Sequence, residues 1–182
     1  MAEPLFSGDA DEGELPEVQR TFLEECRRML EHLGAEHLAN VRTSARLDEG
    51  RRHAQLVLEL NHVDREILVE AYTSHDEIIV LMSEADAWSY HWHFAPTWND
   101  VYGSVAGRAW TSLAVDFLAE LLHGEVRVRA TYGGDHLLKV HAEVVGSDGH
   151  CFTAGTTGAL TARALNFWAK RRVEERIVRF AQ

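Results

Sequence analysis

The sequence has few cysteines and no long apolar run, and both absences exclude whole classes of protein. Its two cysteines, Cys26 and Cys151, are too far apart to form a CxxC pair, so neither a zinc finger nor a dithiol redox centre is expected. No apolar run approaches the roughly 20 residues that cross a bilayer, and the acidic N-terminus lacks the apolar core of a signal peptide. We therefore predict a cytoplasmic protein that does not bind a membrane, with both thiols free.

The sequence also lacks the short motifs of common catalytic sites. It contains no Gly-x-Ser-x-Gly elbow, no His-Glu-x-x-His helix and no P-loop lysine. Adjacent histidines and acids, such as His75 and Asp76, are expected by chance among 11 histidines and 29 acidic residues. These absences favour a protein that is not an enzyme and that carries no cofactor.

Lysine is scarce, and acidic residues outnumber basic ones. Sixteen of the 18 basic residues are arginines, and the net charge is −11. An acidic surface repels the phosphates of nucleic acids, so no nucleic-acid partner is expected. The same surface suits a basic protein and would speed association with one.

The pattern of apolar residues predicts an α+β fold. Residues 1–14 are acidic and poor in apolar side chains, which indicates a disordered segment, and residues 15–182 are long enough for one domain. Helical spacing and strand alternation then give the order α-β-β-β-β-α-β-β-(β)-α. The predicted helices are 15–33, 104–123 and 159–180, and the predicted strands are 53–62, 66–73, 77–83, 88–94, 126–132 and 138–144. Two further segments are candidates only: 38–48 for a short edge strand and 151–153 for a third strand after the hairpin. We expect a single, mainly antiparallel sheet with the helices on one face.

The predicted strand 88–94 is the centre of this fold because its two faces differ. Side chains alternate along a strand, so the aromatic residues Trp88, Tyr90, Trp92 and Phe94 share one face. We predict that this face is core and that Trp92 is largely buried. The opposite face presents His91 and His93, two residues apart, and is the best single candidate for a site.

The histidine pair is open to two interpretations. Two imidazoles on one strand face can bind one ion, and imidazole suits zinc and other divalent transition metals. A third ligand would have to come from elsewhere, and the candidates are Glu84, Asp86, His75 and His141. The other interpretation is that His91 and His93 line a face that binds a protein.

Further binding residues are predicted after this strand. Trp98 lies in an aromatic-rich connection, and an exposed tryptophan is a good hot spot for protein binding. In the hairpin 126–144, alternation places Arg127, Arg129 and His141 on the polar face. The binding residues that we predict are therefore His91, His93, Trp98, Arg127, Arg129 and His141.

Part of the chain resembles small bacterial α+β proteins of the toxin-immunity type. The likeness is carried by the strand that ends in His91-Trp92-His93-Phe94, by the helix that contains 114–122 and by the outgoing strand 126–132, and it covers roughly residues 76–145. The order of elements is also similar to that of type III secretion chaperones. Both resemblances imply a bacterial protein that binds another protein, and neither supplies a catalytic residue.

The C-terminal segment predicts self-association. In the helix expected over 159–180, the second half carries a thin apolar stripe, Ala169, Val173, Ile177 and Phe180, with Arg172 and Arg176 inside it. Such a stripe is too apolar for water and too charged for a deep core. We expect a homodimer with this helix in its interface.

Together these patterns favour a non-enzymatic protein that binds another protein, either an immunity-type inhibitor or a chaperone-like adaptor. The alternative is a metal-binding or hydrolytic enzyme that uses His91 and His93.

Overall fold

A computed structural model describes residues 5–6, 8, 12–34, 38–48, 55–62, 64, 67–74, 76–84, 89–95, 109–134, 136–146, 151–153 and 171–180. In these residues there are two helices and nine strands, which confirms the α+β class. The elements are α1 (Glu17–Leu33), β1 (Val41–Asp48), β2 (Gln55–His62), β3 (Ile67–Thr73), β4 (Ile78–Glu84), β5 (Ser89–Phe94), α2 (Trp110–His123), β6 (Glu125–Gly133), β7 (His136–Val145), β8 (Cys151–Thr153) and β9 (Arg171–Val178).

The described strands form two antiparallel sheets rather than the single sheet predicted. The first sheet is a meander in the order β1-β2-β3-β4-β5, and the second has the order β8-β7-β6-β9. The chain divides into two compact units, residues 1–119 with 181–182 and residues 120–180. The first sheet lies in the first unit and the second sheet in the second. Neither α1 nor α2, as described, is long and apolar enough to span a bilayer.

The inner face of the first sheet belongs to the core of the first unit. Alternation along each strand places one apolar set on this face, and the antiparallel register aligns Leu58, Ala71, Val80 and Trp92 across four strands. All four side chains are buried, and Trp92 has only 1% of its surface exposed. The predicted burial of Trp92 is therefore confirmed, while Trp88 lies outside the described residues.

Helix α1 forms where apolar residues recur every three or four positions. Phe22, Leu23, Cys26 and Leu30 are buried along this stripe. Pro16 precedes the first turn, and Gly34, at φ 85°, follows the last, as left-handed glycines often do. The side-chain amide of Gln19 donates to the carbonyl of Thr73 at 3.0 Å, which ties the helix to the end of β3.

Tilted contacts between aromatic rings join α2 to the first sheet. The ring of Phe117 lies 4.9 Å from that of Trp92 and 5.3 Å from that of Phe94, centroid to centroid. The predicted helix 104–123 is observed from Trp110, and residues 104–108 lie outside the described residues. Gly124 links α2 to β6, and a Cβ there would approach the carbonyl oxygens of Glu120 and Val145 to 2.6 and 2.9 Å. The tight passage from helix to strand therefore requires glycine at this position.

The hairpin of β6 and β7 keeps the predicted alignment of apolar faces. Val128 is opposite Ala142 and Ala130 opposite Val140, so the apolar sets coincide on a buried face. At the loop Gly133 is opposite His136, and a bulge between Thr131 and Tyr132 shifts the register.

The predicted C-terminal helix is wrong over residues 171–178, which form strand β9 paired with β6. Residues four apart lie on one side of both a helix and a strand, so the spacing of Val173 and Ile177 could not distinguish the two. Hydrogen bonding to the neighbouring strand β6 decided the outcome. Phe180, which was expected in the same stripe, is buried, and residues 159–170 lie outside the described part of the chain.

Part of the segment predicted to be disordered lies against the first unit. Gly8 forms a parallel bridge with Ala45 of β1, and the amide of Phe6 donates to the Thr43 hydroxyl at 3.0 Å. The Phe6 side chain is 2% exposed. Residues 1–4, 7 and 9–11 lie outside the described residues.

Candidate functional site

The candidate site lies on the outer face of the first sheet, opposite the aromatic core face. The antiparallel register aligns two rows of side chains across all five strands on this face. One row is Arg46, Val57, Tyr72, Ile79 and His93, and the next is Ser44, Glu59, Glu70, Leu81 and His91. Except for Val57, which is fully buried, these ten residues are half-buried. The face is therefore a continuous, partly desolvated surface rather than a set of separate charges in water.

The two histidines lie together, as predicted, and a glutamate is hydrogen bonded to one of them. The rings of His91 and His93 are 5.2 Å apart and edge to face. Nδ1 of His93 and Oε1 of Glu77 are hydrogen bonded at 2.6 Å. In the tautomer with the proton on Nδ1, the ring donates this bond to the carboxylate.

Sequence reasoning missed Glu77, although its position carries a signal. Ile79 is directly opposite His93, and Glu77, two residues before Ile79, shares its face. Diagonal neighbours in a sheet lie within reach of long side chains. The pairing register of β4 and β5, which the sequence leaves unspecified, is needed to find this contact.

His91 prefers its neutral form. Partial burial of the imidazole lowers the pKa of His91, and the positive charge that His93 can carry lowers it further. A neutral imidazole can donate one hydrogen bond and accept another. His91 can therefore bind either a donor or an acceptor on a partner at neutral pH.

An ion-pair network occupies the other side of the same face. Nε of Arg46 donates to Oε1 of Glu59 at 2.7 Å, and its Nη2 approaches Oε1 of Glu70 at 3.4 Å. The Ser44 hydroxyl donates to Glu59 at 2.9 Å, and the Tyr72 hydroxyl donates to Glu70 at 2.9 Å. Burial raises the pKa of Tyr72, and the bond to Glu70 adds to this shift. One guanidinium thus orders two carboxylates.

Apolar side chains lie between the network and the histidines. Ile79 and Leu81, on β4, point to the outer face in the two aligned rows, and Leu68 on β3 shares this face. All three are half-buried. An apolar strip flanked by ordered polar groups is the arrangement typical of a protein-binding surface.

The predicted metal site at His91 and His93 has no third ligand in the described part of the chain. Among those residues, no group of three or more His, Cys, Asp or Glu side chains is placed to hold a metal ion. Of the candidate ligands, His75, Asp86 and the side chain of Glu84 lie outside the described residues, and His141 belongs to the second unit.

Three other predicted binding residues share the polar face of the second sheet. Arg129 is directly opposite His141, and Arg127 is opposite Glu143 on the same face. Arg129 forms an exposed ion pair with Glu175 of β9 at 3.3 Å, and Nε2 of His141 is 3.1 Å from Glu143. Sequence reasoning missed Glu175, because it placed this residue in a helix. Trp98 lies outside the described residues.

Comparison of the chain with protein-family models, with curated proteins and with solved structures gives no match.

Proposed function

We propose that the chain is a non-enzymatic protein that binds a basic protein on the outer face of the first sheet, as an immunity-type inhibitor or a chaperone-like adaptor. The observation that supports this most is the composition of that face. It combines the apolar strip of Ile79 and Leu81 with carboxylates that are already ordered. Preordered side chains lose little further entropy when a partner binds.

The charge distribution supports a basic partner. Residues 1–119 contain 22 acidic and nine basic residues, a net charge of −13, whereas residues 120–180 contain seven and nine, a net charge of +2. The acidity of the chain is therefore confined to the unit that carries the candidate site. A strongly acidic surface attracts a basic protein at long range and speeds its docking.

The ordered carboxylates and the apolar strip have separate roles in this proposal. Arg46 holds Glu59 and Glu70 in fixed positions, where they can accept hydrogen bonds from arginine or lysine of a partner. Ile79 and Leu81 supply the apolar contact area that gives most of the affinity at the centre of an interface. We expect charge to set the association rate and the apolar strip to set the dissociation rate.

A matched pair of variants tests this function. Leu81→Thr introduces a β-branched residue, which suits a strand, and removes apolar area from the site. Val145→Thr makes a comparable change at a half-buried residue of the second sheet. Tagged wild-type protein and both variants are incubated with the same bacterial lysate, and captured proteins are quantified by mass spectrometry.

We expect a basic protein that wild type and Val145→Thr retain equally and that Leu81→Thr loses. Its retention should fall as salt concentration rises, because screening weakens charge attraction. If no protein distinguishes Leu81→Thr from Val145→Thr, the outer face of the first sheet is not the binding site.

The hydrogen bond between His93 and Glu77 favours one alternative function. Metal-binding and general-base histidines are commonly oriented by a carboxylate in this way. The alternative is a metal-binding or hydrolytic enzyme that uses His91 and His93, with zinc as the representative metal. Metal analysis of the purified protein and thermal unfolding with added zinc distinguish the two functions.

From the leading proposal we expect no stoichiometric metal and no change in Tm with zinc. Near-stoichiometric metal that disappears in a His91→Asn, His93→Asn double variant would replace the leading proposal with the alternative.

A further inference from the structure

Strand β9 is the least protected element of the described chain. It pairs with β6 on one side, and within the described residues no strand pairs with it on the other. Residues 171–177 are all exposed, and Val173 and Ile177, 47% and 55% exposed, are the large apolar side chains that the described residues leave in water. An edge strand directs alternate N–H and C=O groups outward, ready to pair with another strand.

We propose that two copies of the chain pair edge to edge through β9, in antiparallel orientation, and join their four-stranded sheets into one. The proposal concerns the second unit and does not depend on the partner binding proposed for the first sheet. The order of charges along β9 is what selects a second copy of this chain as the occupant of the edge.

The strand is complementary to itself in one two-fold register. When Glu175 lies opposite its own copy, Arg176 lies opposite Glu174 of the second copy, and Ile177 lies opposite Val173 of the second copy. The two-fold axis repeats both pairs. The register therefore yields two arginine–glutamate pairs on one face and two valine–isoleucine pairs on the other, both of which stabilise a sheet.

The least favourable contact of this register is moderated within each copy, and the outermost pairs place Arg172 opposite Val178 of the second copy. Glu175 meets Glu175 of the second copy on the axis, and like charges directly opposite one another destabilise a sheet. However, Arg129 lies 3.3 Å from Glu175 in its own chain. Each Glu175 carboxylate at the axis therefore has the Arg129 guanidinium of its own chain beside it, which reduces the repulsion between the two carboxylates.

A shifted register is less complete. With Val173 opposite its own copy, arginines again face glutamates, but only residues 171–175 of the strand are paired. The first register pairs 172–178 and covers Ile177, whereas the shifted one leaves Ile177 outside the pairing. Shifts that centre on Glu174 or Arg176 place like charges opposite each other or a glutamate opposite an aliphatic side chain.

The opposing interpretation is that the charges of β9 prevent pairing. Natural edge strands often carry charged residues for this purpose. Uniform charge would serve that role better than the Glu-Glu-Arg order, which becomes attractive on two-fold rotation. The two interpretations predict opposite results for a charge exchange within the strand.

Sedimentation velocity of the full chain tests the pairing. One paired strand edge buries less area than the about 1,200–2,000 Å² of a standard interface, so we expect dissociation in the micromolar range. Protein is therefore examined from about 1 to about 200 µM, which brackets such a Kd. A wild-type chain that is monomeric throughout this range overturns the proposal.

Charge exchange tests the register. Glu174→Arg places two arginines opposite each other and should raise Kd about tenfold, whereas Glu174→Arg with Arg176→Glu restores the pair and should return Kd to near the wild-type value. Glu24→Arg, at an exposed position of α1, makes the same change in net charge away from β9 and should leave Kd unchanged. Equal weakening in the single and double variants overturns the register.

Disulfide formation gives a second, independent measurement. Directly opposite residues of antiparallel strands have Cα atoms about 4.5–5.5 Å apart, within disulfide range. In a Cys151→Ser background, oxidised glutathione should cross-link Glu175→Cys chains into dimers and leave Val173→Cys chains mostly monomeric. Preferential cross-linking of Val173→Cys supports pairing through β9 but overturns this register, and cross-linking of neither overturns the pairing.

Discussion

On the first sheet most of the outer side chains in the two aligned rows are half-buried, and several are hydrogen bonded to one another. On the second sheet strand β9 is exposed along nearly its whole length. Charge divides in the same way, with a net charge of −13 on residues 1–119 and +2 on residues 120–180. One chain therefore carries two different kinds of surface, each in its own unit.

The two kinds of surface suit different uses. A preordered face such as that around Arg46, Glu59 and Glu70 can select a partner by the position of its charges. An exposed strand edge offers mainly backbone groups, which pair with any strand of matching register. We therefore associate selectivity with the first sheet and reversible self-association with the second.

The largest expected effect concerns the core of the first unit. Trp92→Ala should reduce the free energy of unfolding by about 3–5 kcal/mol, because the ring is fully buried and packs against Phe117. Ile177→Ala, on exposed β9, should change it by less than about 0.5 kcal/mol. Urea unfolding at low protein concentration measures both.

Trp92→Phe separates packing from hydrogen bonding. Within the described residues Nε1 of Trp92 is buried and has no hydrogen-bond partner. Phenylalanine keeps an aromatic ring and removes this donor, so it should cost less than alanine. Equal unfolding energies for Trp92→Ala and wild type would show that the aromatic face is not the core.

An intermediate effect is expected from the ion-pair network. A double-mutant cycle of Arg46→Met and Glu59→Gln should give a coupling energy of about 0.2–1 kcal/mol, since both side chains remain partly exposed. The same cycle on Arg129 and Glu175, which are more exposed, should give less. A larger coupling in the second pair would reverse the proposed contrast between an ordered and an exposed surface.

The smallest effect is a pH dependence at His91. Its pKa is lower in the folded protein, so acidification favours proton uptake by the unfolded chain. The contribution of His91 to stability is fully present above its unfolded pKa of about 6.5 and is lost as the pH falls towards the folded pKa. His91→Asn should therefore lose less stability than wild type between about pH 7.5 and pH 5.

His32→Asn provides the control, because His32 is an exposed residue of α1. Unfolding in urea at the two pH values gives the comparison. A His91→Asn protein with the same pH dependence as wild type would contradict the assigned environment of His91.

The sequence predicted those parts of the fold that depend on a local apolar pattern. The alternation around Trp92 located the core face, and the same alternation paired His91 with His93. The contact of Glu77 with His93 depends on the register between β4 and β5, which alternation alone does not fix. The network of Arg46, Glu59 and Glu70 likewise joins three successive strands, and it too depends on their pairing register.

The prediction failed at β9 for a physical reason. Its apolar residues are spaced four apart, and its charged residues suit a helix surface. Its strand conformation is stabilised by hydrogen bonds to β6, whose paired residues lie 38 to 52 positions earlier in the chain. The division into two sheets has a similar origin, because strand order within and between sheets is set by long-range pairing.

The bridge between Gly8 and Ala45 has a practical consequence for protein production. A Cβ at position 8 would approach the Ala45 carbonyl oxygen to 1.9 Å, so only glycine permits this contact with β1. An expression clone trimmed to begin at α1 would lose both Gly8 and the buried ring of Phe6. We expect such a clone to yield protein that precipitates on storage. Without Gly8 and Phe6, β1 would present an uncovered strand edge, and the apolar site that the Phe6 ring fills would be empty.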